Sequence, residues 1–215
     1  VKMSVSLPET DIWHANRLVN EAILEAQYKL PSGPVHINIP LSEPIYDFTT
    51  DALPQARKIE YRETLLPQQN PGDSEREVPA EDWSNSLLIL GQAIPTERLH
   101  PSLLRLTRMH ITVIGENLCN QEAELYTNAF DIDWSRMKPV ERVITIGGHI
   151  VNKELKEFFR KNKPQEHWHI SHDGAVVDLF GCQTVAIKSD YTKALNEIFR
   201  DVNRKSHKLE LPLKE

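Results

Sequence analysis

The sequence predicts an α/β protein: a parallel sheet with helices on both faces, preceded by a helix and a strand that are the remnant of another α/β domain. From about residue 80 onward, apolar runs of four to six residues alternate with helical stretches, which is the element order of βαβ units. Several of these runs end at a glycine, as tight turns from strand to helix require. The stretch 47–80 is rich in proline, glutamine and acidic residues and separates this part from what precedes it.

The composition excludes several classes of protein. Of the 215 residues, 40% are hydrophobic and 26% are charged, which is typical of a globular chain. The net charge of −6 argues against a nucleic-acid-binding surface. No apolar run approaches the roughly 18 residues of a membrane span, and no signal-peptide pattern is present. Two cysteines are too few for a disulfide framework, so we expect reduced thiols and a cytoplasmic location.

The first 46 residues contain a helix and a strand. The apolar residues of 7–29 recur at helical spacing, with Thr10 or Asp11 as the N-cap, and 35–39 is a strand that Pro40 ends. A helix and one strand cannot close a core. We therefore expect that the chain is a piece of a longer polypeptide, and that this segment presents an apolar face that stays exposed or packs on a second copy.

The larger part, 81–208, alternates strands and helices. Its most informative stretch is Arg142–Arg160, where an apolar strand runs into Gly147 and Gly148, and Asn152 is a plausible N-cap of an amphipathic helix. The predicted strands are Ser86–Leu90, Ile111–Ile114, Val143–Ile146, His167–Ser171 and Thr184–Lys188; the predicted helices are Pro95–Arg108, Asn152–Arg160 and Tyr191–Lys205, with a partly helical stretch at Gln121–Met137.

Lys153 is the first candidate for a functional residue. It follows the third predicted strand of this part, and ligands of parallel α/β sheets bind beyond the carboxyl ends of the strands. A basic side chain there can meet an anionic substrate. The local evidence alone favours a solvated lysine at an exposed helix start, since lysines are mostly exposed.

Other motifs point to no particular chemistry. Gly147-Gly148 lacks the third glycine of a phosphate-cradling loop, so a nucleotide site is allowed by the architecture but not indicated by a motif. His167 and His169 share one face of a strand and His172 follows, so a metal site is geometrically conceivable, although polar packing explains the pattern better. No diphosphate–magnesium motif and no catalytic triad are visible.

One stretch carries a family resemblance. Gly33–Tyr46, GPVHINIPLSEPIY, resembles the last strand of the pyrimidine-binding domain of thiamine-diphosphate enzymes. Its fuller pattern is similar to one branch, the 2-succinyl-5-enolpyruvyl-6-hydroxy-3-cyclohexene-1-carboxylate synthases (MenD). TIGGHIVNK also looks like a segment of that branch's central domain. The resemblance implies four parts: 1–46, the end of the pyrimidine-binding domain; 47–80, a linker; 81–208, a Rossmann-like central domain; and 209–215, a tail.

The resemblance also implies a function for a longer parent enzyme. Such an enzyme is a transferase of the EC 2.2.1 type in menaquinone biosynthesis, which uses thiamine diphosphate and Mg²⁺ to decarboxylate 2-oxoglutarate and adds the product to isochorismate. We expect a homo-oligomeric parent, dimer or tetramer, with no nucleic-acid partner and no transmembrane segment.

For the chain itself, the family pattern predicts substrate binding by Lys153, with Asn152 and His149 in the same turn. It predicts no catalytic, cofactor-binding or metal residue here, and hence no bound cofactor and no activity of the isolated chain. Glu154 departs from the family, where a second basic residue is expected. Two alternatives stay open: a non-catalytic nucleotide-binding module, and the central domain of another thiamine-diphosphate enzyme such as an acetolactate-synthase-like protein.

Overall fold

The computed structural model describes residues 1–41, 56–64, 83–109, 111–201 and 209–214. The chain divides into two compact units, Val1–Tyr61 and Arg62–Glu215. The stretch Ser42–Tyr46, most of the predicted linker 47–80 and the predicted end of the last helix lie outside the described residues. No helix of the described residues is long and apolar enough to cross a membrane.

The first unit holds two parallel strands and one helix. The strands are β1 (Met3–Ser6) and β2 (Val35–Asn38), and the helix between them is α1 (Ile12–Gln27). The Asp11 carboxylate caps α1 by accepting a hydrogen bond from the backbone N–H of His14 at 2.9 Å. The prediction of a lone strand was therefore wrong: β1 pairs with β2, and its four residues with one buried side chain are too few for a periodic signal.

Several large apolar side chains of the first unit are exposed in this chain. Ile12 is 80% exposed and Leu30 is 89% exposed, and Ile39 and Leu41 are each 63% exposed. This agrees with the predicted apolar face. The chain beyond β2 returns along α1: the Asn20 side chain accepts from the Ile59 N–H at 2.7 Å and donates to the Arg57 carbonyl at 3.0 Å.

The second unit is built on a parallel sheet, as predicted. A short strand, β3 (Glu60–Arg62), spans the boundary between the two units. The other described strands of the second unit are β4 (Ser86–Leu90), β5 (Thr112–Gly115), β6 (Thr127–Asn128), β7 (Arg142–Ile146), β8 (Glu166–Ser171) and β9 (Val185–Lys188); the helices are α2 (His100–Arg108), α3 (Lys153–Lys161) and α4 (Tyr191–Asp201). The strands β4 to β9 take the order β9–β8–β7–β4–β5–β6, and each pairing between neighbours is parallel.

Apolar side chains cover both faces of this sheet. Alternate residues of one strand point to opposite faces, so Leu88 packs in one buried cluster and Leu87 in the other. The first cluster includes side chains of α2 and α4, and the second includes Leu155 and the phenylalanines of α3. Helices thus lie on both faces, which confirms the predicted fold class.

Helix α2 begins later than predicted. The prediction placed Pro95 in the first turn, but the helix starts at His100. Pro101 explains the difference, because a proline in the helix interior lacks the N–H donor and is tolerated only in the first turn. The side chain of Gln121 instead holds the preceding loop, accepting from the Leu99 N–H at 3.0 Å and donating to the Glu97 carbonyl at 2.7 Å.

Residues 209–214, part of the predicted tail 209–215, pack against the rest of the second unit. Thr112, at the start of β5, exchanges two hydrogen bonds with Leu209: its hydroxyl accepts from the Leu209 N–H at 3.0 Å and donates to the Leu209 carbonyl at 3.2 Å. Leu213 forms an antiparallel bridge with Ile132. Leu209 and Leu211 pack against the cluster that contains Leu87.

Candidate functional site

The strand order reverses direction between β4 and β7. The chain passes from β4 to β5 on one side and later returns to place β7 on the other side of β4. Such a reversal is a topological switch point, and the crevice beyond the carboxyl ends of its strands is the usual ligand site of open α/β sheets. The loops that begin at Gly91 and Gly147 form this edge.

The two loops are joined by backbone hydrogen bonds beyond the ends of the strands. Gly91 N–H donates to the Ile146 carbonyl at 2.8 Å, Gly148 N–H donates to the Gln92 carbonyl at 2.7 Å, and Gln92 N–H donates to the His149 carbonyl at 3.0 Å. A side chain at Gly91 would place its Cβ 2.5 Å from the Gly148 carbonyl oxygen. The close approach of the two backbones therefore requires glycine at this position.

A buried carboxylate supports the next part of the same turn. Glu116, directly after β5, is only 3% exposed. One carboxylate oxygen accepts from the Val151 N–H at 2.8 Å and the other accepts from the Asn152 N–H at 2.7 Å. These donors lie at the start of α3, where backbone N–H groups lack partners within the helix and negative charge is favourable.

Asn152 is the N-cap of α3, as predicted. Its side-chain oxygen accepts from the Leu155 N–H at 2.9 Å, and its amide donates to the Ala129 carbonyl at 3.1 Å. The residue is 2% exposed. The side-chain polar atoms of Asn152 thus bond within the fold. In the predicted substrate site, the residue supports the turn from its buried side.

His149 and Lys153 lie in the same turn, and both are exposed. Lys153 makes no ion pair with any residue in the part of the chain that the structure describes. Glu154, the departure from the family pattern, pairs instead with Lys214 at 2.9 Å. The structure therefore leaves Lys153 as a cation that a dissolved anion can reach.

The neighbouring histidines do not form one cluster. The Thr145 hydroxyl lies 3.1 Å from His167 Nε2 and 2.9 Å from His169 Nδ1, and both rings are buried. Burial lowers the pKa of His169 to about 4. Among the described residues no group of three or more His, Cys, Asp or Glu could hold a metal ion. Polar packing, the interpretation favoured from the sequence, describes His167 and His169.

His172 belongs to a different group that the sequence did not reveal. Its Nε2 lies 3.0 Å from a Glu97 carboxylate oxygen, and its ring packs at a tilt against the Tyr191 ring with centroids 4.3 Å apart. Burial raises the pKa of Tyr191, and the Glu97 and Asp173 carboxylates raise it further. Glu97 and His172 are 75 positions apart in the sequence, so no local spacing could have indicated the group.

This edge does not fit a diphosphate. The Glu116 carboxylate already accepts from the Val151 and Asn152 N–H groups directly before α3, and its negative charge opposes that of a phosphate, which dinucleotide-binding folds hold at a helix N-terminus. This turn therefore does not suit a diphosphate.

A groove of about 670 Å³ lies away from this edge. Asn85, directly before β4, and the cations Arg136 and Lys138 line it together with Leu209–Pro212. It is at the amino edge of the sheet, opposite the turn that carries Lys153.

Known proteins that are similar in sequence to this chain share one name. The synthase 2-succinyl-5-enolpyruvyl-6-hydroxy-3-cyclohexene-1-carboxylate synthase of Phocaeicola vulgatus is 38% identical over 210 residues, which are 92% of this chain and 37% of the relative. The same-named protein of Bacteroides thetaiotaomicron is 38% identical over 215 residues, with 92% and 38% covered. That of Flavobacterium psychrophilum is 33% identical over 178 residues, with 77% and 31% covered.

No protein-family model matches the chain. The chain spans less than two fifths of the length of these relatives. The resemblance seen in Gly33–Tyr46 is thereby confirmed: over 92% of its length, the chain is similar to a segment of 2-succinyl-5-enolpyruvyl-6-hydroxy-3-cyclohexene-1-carboxylate synthases that makes up about 37% of them.

Proposed function

We propose that this chain is a segment of a thiamine-diphosphate-dependent synthase of menaquinone biosynthesis that decarboxylates 2-oxoglutarate and adds the resulting carbanion equivalent to isochorismate. The observation that carries the proposal is the 36–38% identity to synthases of that name over 92% of the chain. The parallel sheet with helices on both faces is consistent with a domain of such an enzyme.

The proposed domain map follows the family. Residues 1–46 are the end of a pyrimidine-binding domain, 47–80 a linker, 81–208 the central domain and 209–215 a tail. The division between the two compact units, at Tyr61 and Arg62, falls inside the proposed linker.

The chain contributes substrate recognition on this proposal. Lys153 donates a charge-assisted hydrogen bond to a substrate carboxylate, and His149 lines the same turn. Such contacts contribute about 1.5–3 kcal/mol, and an exposed position keeps only the lower part of that range. This energy tunes affinity and does not supply chemistry. Thiamine diphosphate, bound with Mg²⁺ by other parts of the parent, supplies the electron sink for decarboxylation.

The parent is, on this proposal, a homo-oligomer in the cytoplasm that binds small molecules and no nucleic acid. The 215-residue chain alone carries no catalytic residue and should be inactive. Supplying it with thiamine diphosphate, Mg²⁺, 2-oxoglutarate and isochorismate should give no product, and turnover would refute its inactivity.

A sharper experiment uses the complete polypeptide that contains the chain. Lys153→Met should raise the KM for one carboxylate substrate about tenfold at nearly unchanged kcat, because the contact binds substrate without taking part in the reaction. Lys163→Met is the matched control, since Lys163 is also an exposed lysine but follows the other end of α3. Equal KM values for the two variants would refute the proposed contact between Lys153 and the substrate.

The alternative of a nucleotide-binding module has its own test. Calorimetric titration of the chain with NAD(P), FAD and ADP should show no saturable micromolar site, because the buried Glu116 carboxylate places negative charge beside the start of α3, where a phosphate would bind. A saturable micromolar site would favour the module.

A further inference from the structure

We propose that Glu116 is the positioning residue of the turn that carries His149 and Lys153: its buried carboxylate fixes the backbone of that turn, and thereby fixes where Lys153 meets a substrate anion. The positioning role follows from the structure, and the substrate rests on the function proposed above.

The carboxylate is engaged on both oxygens. Each oxygen accepts one backbone N–H, from Val151 at 2.8 Å and from Asn152 at 2.7 Å. With 3% of Glu116 exposed, water does not compete freely for these bonds, and a charged acceptor makes them stronger than neutral hydrogen bonds. Two successive peptide groups are therefore held in one orientation.

The other end of the turn is held independently. Gly148 N–H and the His149 carbonyl both bond to the backbone of Gln92. The loop after β4 thus fixes residues 148–149, and the residue after β5 fixes residues 151–152. The turn that follows β7 is therefore held by residues after β4 and after β5, one at each end of the turn.

Lys153 is held through its backbone while its side chain stays in solvent. It is the first residue of α3, whose N-cap Asn152 is bonded to Glu116, Leu155 and Ala129. A cation on a fixed backbone loses less freedom on binding than one on a mobile loop, so its contact with an anion yields more affinity. Glu116 already accepts from the Val151 and Asn152 N–H groups, and the exposed Lys153 side chain directly after them is a cation that an anion can reach.

The first arm of the test measures the turn itself in the 215-residue chain. Glu116→Gln replaces one acceptor oxygen by an amide donor that faces an N–H group. Amide hydrogen exchange at Val151 and Asn152 should become about tenfold faster or more, while β7 amides keep their rates. Glu97→Gln, a carboxylate on another loop of the same edge, should leave both rates unchanged. Unchanged exchange in Glu116→Gln overturns the positioning role.

The second arm asks whether Glu116 acts through Lys153. In the complete polypeptide, Glu116→Gln should raise the KM for the carboxylate substrate about tenfold with kcat nearly unchanged. The double variant with Lys153→Met should be no worse than Lys153→Met alone, because residues that act through one contact are not additive. Multiplied effects would show a general loss of structure and overturn the proposal.

The two arms separate the failure modes. If Lys153→Met leaves KM unchanged, the substrate role of Lys153 falls, and the proposed function of this turn falls with it. If exchange is unchanged in Glu116→Gln while Lys153→Met still raises KM, only the positioning role is refuted. If Glu116→Gln does not fold, Glu116→Asp keeps the charge but is too short to reach both N–H groups, and it carries the same expectations.

Discussion

Replacing Gly91 by alanine tests whether the backbones after β4 and β7 must touch. The added Cβ would lie 2.5 Å from the Gly148 carbonyl oxygen and 3.2 Å from the Ile146 carbonyl oxygen, and both obstacles are backbone atoms that cannot rotate away. Relieving the clash separates the loops and weakens three hydrogen bonds, between Gly91 and Ile146, Gly148 and Gln92, and Gln92 and His149.

At about 1 kcal/mol for each bond, the loss is about 3 kcal/mol, and the lower entropy of the unfolded alanine chain offsets roughly 0.5 kcal/mol of it. The expected decrease in the free energy of unfolding is therefore about 2–3 kcal/mol. Urea denaturation followed by tryptophan fluorescence is the suitable assay, because three of the four tryptophans, Trp83, Trp134 and Trp168, are in the second unit.

Gly148→Ala is the matched control from the same pair of loops. Its Cβ would meet the Gln92 carbonyl oxygen at 3.4 Å, an ordinary contact, and the position has no positive φ. Its stability should stay within about 0.5 kcal/mol of the parent, as for substitutions without a clash. A Gly91→Ala protein as stable as Gly148→Ala would refute the argument that the close approach determines the residue.

Three further predictions concern stability. Gly115→Ala should lower the free energy of unfolding, measured with urea, by about 1–3 kcal/mol, since its Cβ would lie 2.8 Å from the Tyr126 ring. In a protein that also carries Tyr126→Ala the decrease should be smaller, and an equal decrease would contradict the clash as its cause. Asn152→Ala should lower the free energy of unfolding by about 2 kcal/mol, because it removes both the N-cap bond and the bond to the Ala129 carbonyl. Asn162→Ala, which removes one part-buried bond, is the control; a smaller loss for Asn152→Ala than for this control would be evidence against the prediction. The pKa of His169 is lowered by burial from 6.5 to about 4, so the unfolded chain binds more protons between these values, and stability should fall by up to about 3 kcal/mol as the pH drops through this window. His169→Gln should flatten that slope, and equal slopes in the two proteins would exclude His169 as its source.

The sequence was sufficient where neighbouring residues determine the structure. The five residues of β4 were predicted to the residue, because a continuous run of four apolar residues after Ser86 suits a strand buried on both faces. Asn152 was predicted as a cap because an asparagine before an amphipathic helix provides the acceptor that the first turn needs. The sheet was predictable because such units follow one another along the chain.

Long-range pairing was not predictable in this way. Glu116 bonds residues 35 and 36 positions away. In the sequence, nothing distinguishes it from the other acidic residues, of which the chain has 31 in all. The pair of Glu97 and His172 likewise depends on two loops that only the strand order brings together. For the candidate site, the sequence therefore indicated the residues that face solvent, Lys153 and His149, but not the residue that supports them.

The late position of Leu209 in the chain has a consequence for biosynthesis. Among the described residues, the hydroxyl of Thr112, which is 1% exposed at the start of β5, bonds only to the backbone of Leu209, 97 positions later. Translation proceeds from the amino end and domains generally fold as units. During elongation, water therefore hydrogen-bonds to Thr112 in place of Leu209, and this unit can complete its native hydrogen bonding only after residues 209–214 have been made.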